Sequence, residues 1–493
     1  MKNIELQLKL LKSFIENCTG SAKSMANYTD FKRINECLHY CFPQYESILE
    51  INSADEAESI VNVLLQNPQF IEYNKTGKNQ YSNTLFTYVR FLKAKQMFGA
   101  MSPDVYEDSE TDDNVTENPI HENIVPTEIP FSISTIIQQI NETGLLYTDK
   151  LIKRFAFSLM AKRFLILSGL AGSGKTQLAL AFANALIEDK KQLCVVSVGA
   201  DWTNREPLLG FPNALKADEY VKPESGVLDL LIEANKDENK NKPYFLVLDE
   251  MNMSYVERYF ADFLSVMESG ESISLWSGDG DVPQCISLPK NLFIIGTINV
   301  DETTYMFSPK VLDRANVIEF KISPDEMGDF LKEMKPVDRN SINGKAAGMG
   351  SSFVQLASVT ELDKDENAVN ALNDFFGELK KVNAEFGYRT ATEIFRYIAQ
   401  AKKNDDTDDK LSEDDIIDSA IVQKMLPKLH GSRKKLEPVL MQLWKLCFPE
   451  ELRKTMDVVN ENIDKAKYKE SADKILRMYE SANANGFTSF AEA

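Results

Sequence analysis

The feature that most constrains this chain is a short segment that fits the pattern G-x-x-x-x-G-K-[S/T]. Its residues are Gly169, Leu170, Ala171, Gly172, Ser173, Gly174, Lys175 and Thr176. An apolar run at 163–168 precedes the segment, and apolar residues at helical spacing follow it over 177–187. In the order strand, loop and helix, the glycines let backbone N–H groups close around phosphate oxygens. Lys175 then reaches the β- and γ-phosphates, and the Thr176 hydroxyl ligates Mg²⁺. The segment therefore predicts a nucleotide site in an α/β fold.

Two further apolar runs end in residues that suit such a site. The run at 244–248 ends in Asp249 and Glu250, and the run at 291–297 leads to Asn299. Ligands collect at the carboxyl ends of strands in open α/β sheets, so these side chains are expected beside the phosphate loop. Asp249 is expected to hold Mg²⁺ through its water shell, and Glu250 to orient and polarise the attacking water. Asn299 is expected to hydrogen-bond that water or the γ-phosphate.

The chain is long enough for two to four domains. In residues 1–100, apolar residues recur at helical spacing, which predicts a helical domain. We expect this domain to recognise a target or a partner. Residues 101–130 hold nine acidic residues, four prolines and no Lys or Arg, which is typical of a flexible linker. Residues 131–321 predict the large α/β subdomain that carries the nucleotide site. Residues 322–493 predict a helical C-terminal domain with an acidic insertion at 404–415.

Charge and composition narrow the classes of function. A net charge of −20 argues against a protein that coats nucleic acid non-specifically, so any DNA contact is expected on a small local face. No apolar run is long enough for a membrane span, and the first residues lack the apolar core of a signal peptide. The six cysteines have no C-x-x-C spacing and are expected to be buried, reduced thiols. These features predict a cytoplasmic protein without a membrane partner.

Together, these motifs resemble the AAA+ superfamily, and within it the McrB-like branch near the MoxR ATPases. The resemblance rests on the phosphate loop, the acidic motif 248–252 and the strand 296–299, and it covers residues 131–442. It implies a parallel phosphate-loop sheet flanked by helices and a helical C-terminal lid, while the mainly helical N-terminal domain is predicted from the apolar spacing in residues 1–100 alone. It makes Asn299 the sensor 1 residue.

The resemblance also implies two catalytic arginines. Residues 312–314 resemble the segment that carries the arginine finger, which places Arg314 in a neighbouring subunit's nucleotide site. The alternative is a salt bridge from Arg314 to Asp313 or Glu319. Residues 386–397 look like the sensor 2 helix and make Arg389 a candidate γ-phosphate contact. The alternative for Arg389 is an arginine at a helix start that faces solvent.

Function and partners follow from the same resemblance. It implies a ring, expected to be a hexamer, that hydrolyses ATP or GTP with Mg²⁺ and drives a restriction or anti-phage defence complex. A separate McrC-type nuclease or other effector is the implied partner, and DNA is a possible one. Insertions at 201–226 and 273–288 fall where the branch aims hairpins at the ring's central pore. Two alternatives are a MoxR-like chaperone that remodels proteins and a binding module whose assembly is switched by hydrolysis.

Overall fold

The structure is a computed structural model of the 493-residue chain. It describes residues 32–42, scattered residues between 45 and 92, and residues 129–491 apart from 217–218, 279, 301–306, 333–335 and 454–462. The chain divides into two compact units, Met1–His121 and Glu122–Ala493. Most of the predicted linker at 101–130 lies outside the described residues, and the predicted domain boundaries stay predictions.

The described part of the first unit is mainly helical, as predicted. Helix α1, Lys32–Cys41, buries Ile34, Cys37 and Leu38 in a small apolar core. The buried Tyr88 belongs to the same core and donates its hydroxyl to the carbonyl of Ile51 at 2.9 Å. This unit therefore has a core of its own, as a domain requires.

The second unit begins with an α/β region. Its helices are α2, Ile133–Glu142; α3, Asp149–Ala161; α4, Lys175–Leu186; α5, Glu206–Leu209; α6, Val227–Ala234; α7, Val256–Tyr259; α8, Ala261–Ser269; and α9, Pro309–Leu312. Its strands are β1, Phe164–Gly169; β2, Leu193–Ser197; β3, Phe211–Pro212; β4, Tyr220–Val221; β5, Tyr244–Asp249; β6, Ile273–Ser274; β7, Cys285–Ile286; β8, Leu292–Asn299; and β9, Asn316–Phe320.

A five-stranded parallel sheet in the order β2-β5-β8-β1-β9 forms the core of this region. The apolar runs become strands within two residues of their predicted bounds. Strands β1 and β8 are buried along their whole length because helices cover both faces of the sheet. The predicted α/β core is therefore confirmed.

Aromatic side chains fill both faces of the sheet. On one face, Phe293 of β8 stacks on Phe245 of β5, and Phe245 meets Phe182 of α4 edge to face. Phe164 of β1 is in register with the residue after Phe293, so it points to the other face, where it packs against Phe260. The phosphate-loop helix α4 thus lies on one face, and the chain between α7 and α8 covers the other.

Apolar residues at helical spacing between Val256 and Met267 predict one helix with Ser254 as its N-cap. In the structure that helix is broken in two. Helices α7 and α8 are separated at Phe260, whose φ of −106° and ψ of 11° lie outside the helical region. Ser254 also does not cap a helix, because its hydroxyl donates to the carbonyl of Trp202 at 2.5 Å. The prediction of one continuous helix with a Ser254 cap was wrong because tertiary contacts outweigh the local pattern.

The two predicted insertions pack against each other. Strands β3 and β4 pair within 201–226, and β6 and β7 form the predicted hairpin with only two residues each. Arg205 donates to the carbonyl of Ser274 at 2.9 Å, and Tyr220 meets Trp276 edge to face. At the end of the first hairpin, Leu215 is 94% exposed. The insertions therefore form one joint feature with an apolar tip.

The remaining residues are mainly helical, as predicted for 322–493. The helices are α10, Pro324–Lys332; α11, Gly350–Leu356; α12, Glu366–Lys380; α13, Tyr388–Asn404; α14, Glu413–Ala420; α15, Arg433–Leu446; α16, Glu450–Arg453; and α17, Lys469–Asn485. A short antiparallel pair of strands, β10, His430–Ser432, and β11, Phe487–Ser489, adds a β element that the sequence analysis did not predict.

Buried ion pairs join the helical region to the α/β core. Lys153 of α3 meets Asp405 at 3.4 Å with both side chains only 3% exposed, and Lys474 of α17 meets Glu319 of β9 at 2.8 Å. Burial would raise the pKa of Glu319, but Lys474 and Arg477 outweigh it and lower that pKa. The acidic stretch at 404–415 is therefore partly an internal contact rather than only a solvated insertion.

None of the helices in the described residues is long and apolar enough to cross a membrane. The five described cysteines are free thiols. Cys37 and Cys447 are buried, but Cys285 is exposed, so the expectation of burial was wrong for that residue.

Candidate nucleotide site

Three neighbouring strands bring the predicted site residues to one edge of the sheet. Because β5, β8 and β1 are parallel neighbours, their carboxyl ends meet there. Gly169, where the phosphate loop begins, is directly in register with Asn299 across β1 and β8. Asp249 closes β5 on the other side of β8. The loop, the two acids and Asn299 are therefore adjacent at the carboxyl edge of the sheet, where ligands collect in open α/β sheets.

The phosphate loop, residues 169–176, turns sharply into α4. Gly174 precedes the helix with a φ of 89°, a conformation that glycine adopts without strain. The Lys175 side chain is 4% exposed and folds into the loop, where its ammonium donates to the carbonyls of Gly169 at 3.0 Å and Leu170 at 2.6 Å. The ammonium thus lies inside the loop, where it is placed to donate charge-assisted hydrogen bonds to a phosphate group.

Tyr147 supports this loop and was missed by the sequence analysis. Its hydroxyl donates to the carbonyl of Gly174 at 2.8 Å, and its ring meets Phe320 edge to face. A Cβ atom at Gly174 would lie 2.9 Å from that hydroxyl, so the contact also requires glycine there. No sequence pattern marks Tyr147, because its role depends on the packing of the segment before α3 against the loop.

Asp249 accepts two hydrogen bonds on one oxygen. The hydroxyls of Thr176 and Thr297 both donate to its Oδ1 at 2.7 Å. Thr176 and Asp249 thus present two hard oxygens at one point beside the phosphate loop. Mg²⁺ prefers oxygen ligands and usually keeps several waters, so the Thr176 hydroxyl would bind the ion and the Asp249 carboxylate would hold its water shell. The residues present therefore fit a Mg²⁺ ion held by Thr176 and Asp249.

Glu250 is turned toward β8 by an unusual backbone conformation. Its φ of 54° and ψ of 47° lie in the left-handed region, which costs a residue with a side chain about 1 kcal/mol or more. The Glu250 N–H donates to the hydroxyl of Thr297 at 3.0 Å, and Asn299 Nδ2 donates to Glu250 Oε1 at 3.2 Å. These contacts hold the Glu250 carboxylate at the carboxyl edge of the sheet, where the phosphate loop begins.

Thr297 is the second residue that sequence reasoning missed as part of the site. It is two residues before Asn299, so both side chains lie on the same face of β8. Its hydroxyl connects the Asp249 carboxylate to the Glu250 backbone. The signal that would have found it is this spacing of two from a predicted site residue on a buried strand.

We expect Thr297→Val to slow nucleotide hydrolysis while binding changes little, because valine keeps the volume and removes only the hydroxyl. A buried polar group left without its partner costs about 1–3 kcal/mol, which corresponds to roughly 5- to 150-fold in rate. The measurement is steady-state phosphate release, with Thr297→Ser as the control that keeps the hydroxyl. Equal turnover by the valine and serine variants would contradict the role given to Thr297.

Arg314 follows α9, and its described contacts are with α8 and α9 of the same chain. Its Nε donates to the carbonyl of Leu264 at 2.8 Å and its Nη1 to that of Lys310 at 2.7 Å, and it forms an ion pair with Glu268. The alternative prediction, a salt bridge from Arg314 to Asp313 or Glu319, was wrong. Both carboxylates pair with other cations instead. No sequence pattern marks Glu268, which lies near the end of α8.

Arg389, the second residue of α13, also meets carboxylates. It pairs with Asp313 and lies 3.5 Å from Glu268. Its side chain is 38% exposed, so it does not simply face solvent. Burial would raise the pKa of Asp313, but Lys428 and Arg389 lower it to about 2. Asp313 therefore stays ionised and fixes the start of α13.

Both arginines lie at the edge of the sheet opposite the phosphate loop. Arg314 is two residues before Asn316, which is in register with Leu165 near the start of β1, whereas the loop follows Gly169 at the end of that strand. Four residues of strand span about 13 Å. Since Arg389 is tied to Asp313, beside Arg314, neither guanidinium is placed to reach the loop of its own subunit.

The comparison with protein families finds one match. A family described as "Domain of unknown function (DUF8727)" matches residues 337–487, which lie in the helical region. No curated protein matches the chain.

Many solved structures resemble parts of the chain, among them the following three. A "putative ATPase" from Cytophaga hutchinsonii ATCC 33406 is 15% identical, with a TM-score of 0.43, over 60% of this chain and 86% of that one. A full-length MCM homolog from Methanopyrus kandleri is 12% identical, with a TM-score of 0.34, over 59% of each chain. The S. cerevisiae Hsp104–ADP complex is 17% identical, with a TM-score of 0.28, over 45% of this chain and 46% of that one. All three TM-scores are below 0.5, and the fold of this chain rests on its own strand order.

Proposed function

We propose that this chain is an AAA+ NTPase of the McrB-like branch, which hydrolyses ATP or GTP with Mg²⁺ at sites shared between neighbouring subunits of a ring of six. It acts as the motor of a DNA restriction or anti-phage defence complex whose nuclease is a separate, McrC-type subunit.

The observation that carries the hydrolytic part is the hydrogen-bonded set at the carboxyl edge of the sheet. The hydroxyls of Thr176 and Thr297 donate to one carboxylate oxygen of Asp249. Beside them, the Asn299 amide donates to the Glu250 carboxylate. A structural turn does not need these five elements of a phosphoryl-transfer site to converge: a phosphate loop, a lysine, a metal-binding hydroxyl and carboxylate, and a second, oriented acid.

Each residue has a distinct role in this proposal. The loop amides and Lys175 bind the phosphates. Thr176 and Asp249 would hold a Mg²⁺ ion, which would neutralise charge on the phosphate oxygens. Glu250 orients and polarises the attacking water, and Asn299 keeps the Glu250 carboxylate in place. Thr297 fixes both acids relative to β8.

The shared site follows from the arginines. A phosphoryl-transfer site needs cationic charge on the transferred group beyond the loop lysine, and Arg314 and Arg389 lie at the far edge of the sheet from their own loop. In a ring, the far edge of one subunit can meet the loop of the next. We therefore assign Arg314 and Arg389 to the neighbour's nucleotide.

The defence role is tested by measuring nucleotide hydrolysis of the full-length chain alone, with duplex DNA, and with the candidate nuclease encoded beside its gene. The proposal expects DNA or the nuclease to raise turnover severalfold, and Lys175→Ala, which lacks the loop lysine, to show no such rise. If neither partner raises turnover but a permanently unfolded protein does, the motor assignment is wrong and the chaperone assignment is right.

One observation favours that alternative, a MoxR-like remodelling chaperone. Leu215, in the turn of the first inserted hairpin, is 94% exposed beside Lys216, whose side chain is 72% exposed, so this turn offers a protein segment one apolar side chain. The unfolded-protein arm of the experiment is therefore decisive between the two functions.

A further inference from the structure

A single carboxylate joins the two arginines assigned to the neighbour's nucleotide. Glu268, near the end of α8, forms an ion pair with Arg314, and its Oε1 lies 3.5 Å from Nη1 of Arg389. We call Arg314 and Arg389 the arginine pair. The three residues come from separate parts of the chain: α8, the turn before β9, and the first turn of α13. Glu268 therefore links the α/β core to the helical region through this pair.

Without Glu268, the arginine pair would be two neighbouring like charges. Burial of the Arg314 guanidinium lowers its pKa, and the positive charge of the nearby Arg389 lowers that pKa further. Asp313 forms ion pairs with Arg389 and, at 3.0 Å, with Lys428. It has no described contact with the Arg314 guanidinium. Glu268 is thus the carboxylate that compensates both members of the pair.

The position of Glu268 suits a role in function as well as packing. Its side chain is 56% exposed, whereas that of Arg314 is 12% exposed and already satisfied by two backbone carbonyls. A half-exposed carboxylate is not needed to bury Arg314. It is, however, the contact that fixes the Arg314 and Arg389 guanidinium groups relative to each other.

We propose that Glu268 is a positioning residue that holds Arg314 and Arg389 as one unit for delivery to the nucleotide of a neighbouring subunit. This inference rests on the proposed shared site. Because Arg389 starts a helix of the C-terminal region and Arg314 belongs to the core, their common carboxylate makes the two regions present their charge together.

The first test is the steady-state kinetics of Glu268→Gln, which keeps the side-chain shape and removes the charge. Misplacing a catalytic group by about 1 Å can cost roughly 100-fold, so we expect kcat to fall about 10- to 100-fold. The KM for nucleotide should stay within about twofold, because the variant's own phosphate loop is intact. Glu271→Gln is the matched control, since Glu271 is exposed and has no ion pair among the described contacts.

A turnover equal to or above that of the unchanged protein would overturn the inference. A rise would mean that Glu268 competes with the nucleotide for the arginine pair instead of positioning it. A fall in kcat that is matched by a lower melting temperature and weaker nucleotide binding would also overturn it, because that pattern indicates a structural role. Arg389→Gln, which removes the other end of the contact, is expected to reproduce the kcat loss.

The second test mixes variants under conditions of subunit exchange. Glu268→Gln and Glu250→Gln should restore activity together, because their defects fall on opposite sides of the shared site. Glu268→Gln and Arg314→Ala should not, because both defects fall on the arginine side. Suppose that the mixture of Glu250→Gln and Arg314→Ala regains activity and that the mixture of Glu268→Gln and Arg314→Ala regains it too. In that case only the inference about Glu268 fails. If Glu250→Gln and Arg314→Ala do not restore each other, the shared site itself fails.

Discussion

Replacing Lys175 with alanine is expected to abolish nucleotide hydrolysis and to weaken nucleotide binding severely. The ammonium is buried in the phosphate loop and donates to the loop carbonyls of Gly169 and Leu170. Its loss removes the positive charge that is expected to compensate the β- and γ-phosphates. Removing even one neutral donor from such a site costs about 10²- to 10³-fold in rate, so the loss of a full charge should cost at least that much.

The measurement is nucleotide binding by fluorescence titration together with phosphate release. Lys216→Ala is the control, because Lys216 is a lysine with a 72% exposed side chain far along the chain from the loop. It should bind and hydrolyse nucleotide normally. If Lys175→Ala bound nucleotide with near-normal affinity and turned it over at a near-normal rate, the assignment of residues 169–176 as the nucleotide site would be wrong.

The elements that the sequence predicted well are those fixed by local pattern. The buried run before the phosphate loop became β1, and the run ending in Asp249 became β5, because continuous apolar segments bounded by turns form central strands. The phosphate-loop glycines also specify their own conformation. Strand order at the carboxyl edge then brings Asp249, Glu250 and Asn299 to the loop, so most of the candidate site was predictable.

The parts that were not predictable depend on residues distant in sequence. Tyr147, Thr297 and Glu268 are ordinary residues in the sequence, and each acquires a role only through the partner that the fold places beside it. The break at Phe260 has the same origin, since the apolar spacing across it is helical while the backbone is not. Local periodicity reports which face of a segment is buried, but it does not report which side chains meet there.

Glu250 and Arg314 are assigned to opposite sides of the shared site, and substitution of either residue is expected to slow hydrolysis strongly. Glu250→Gln should bind nucleotide yet hydrolyse it slowly, because an amide cannot polarise water as a carboxylate does while Lys175 and Thr176 still hold the phosphates. Arg314→Ala should also be slow, because the charge it lends to its neighbour is missing; such arginines contribute on the order of 10³ to 10⁵ in rate. Both variants should keep near-normal nucleotide affinity, which a titration of each checks.

The most direct test of the shared site is the hydrolysis rate of a mixture of these two proteins in which subunits exchange. In mixed rings, an Arg314→Ala subunit with an intact Glu250 receives the intact Arg314 of a Glu250→Gln neighbour, so some sites are complete. The account predicts a rate well above that of either variant alone, with a maximum near equal proportions. Mixed rings that are demonstrably formed and show no recovery at any proportion would contradict it, because Arg314 would then serve only its own subunit.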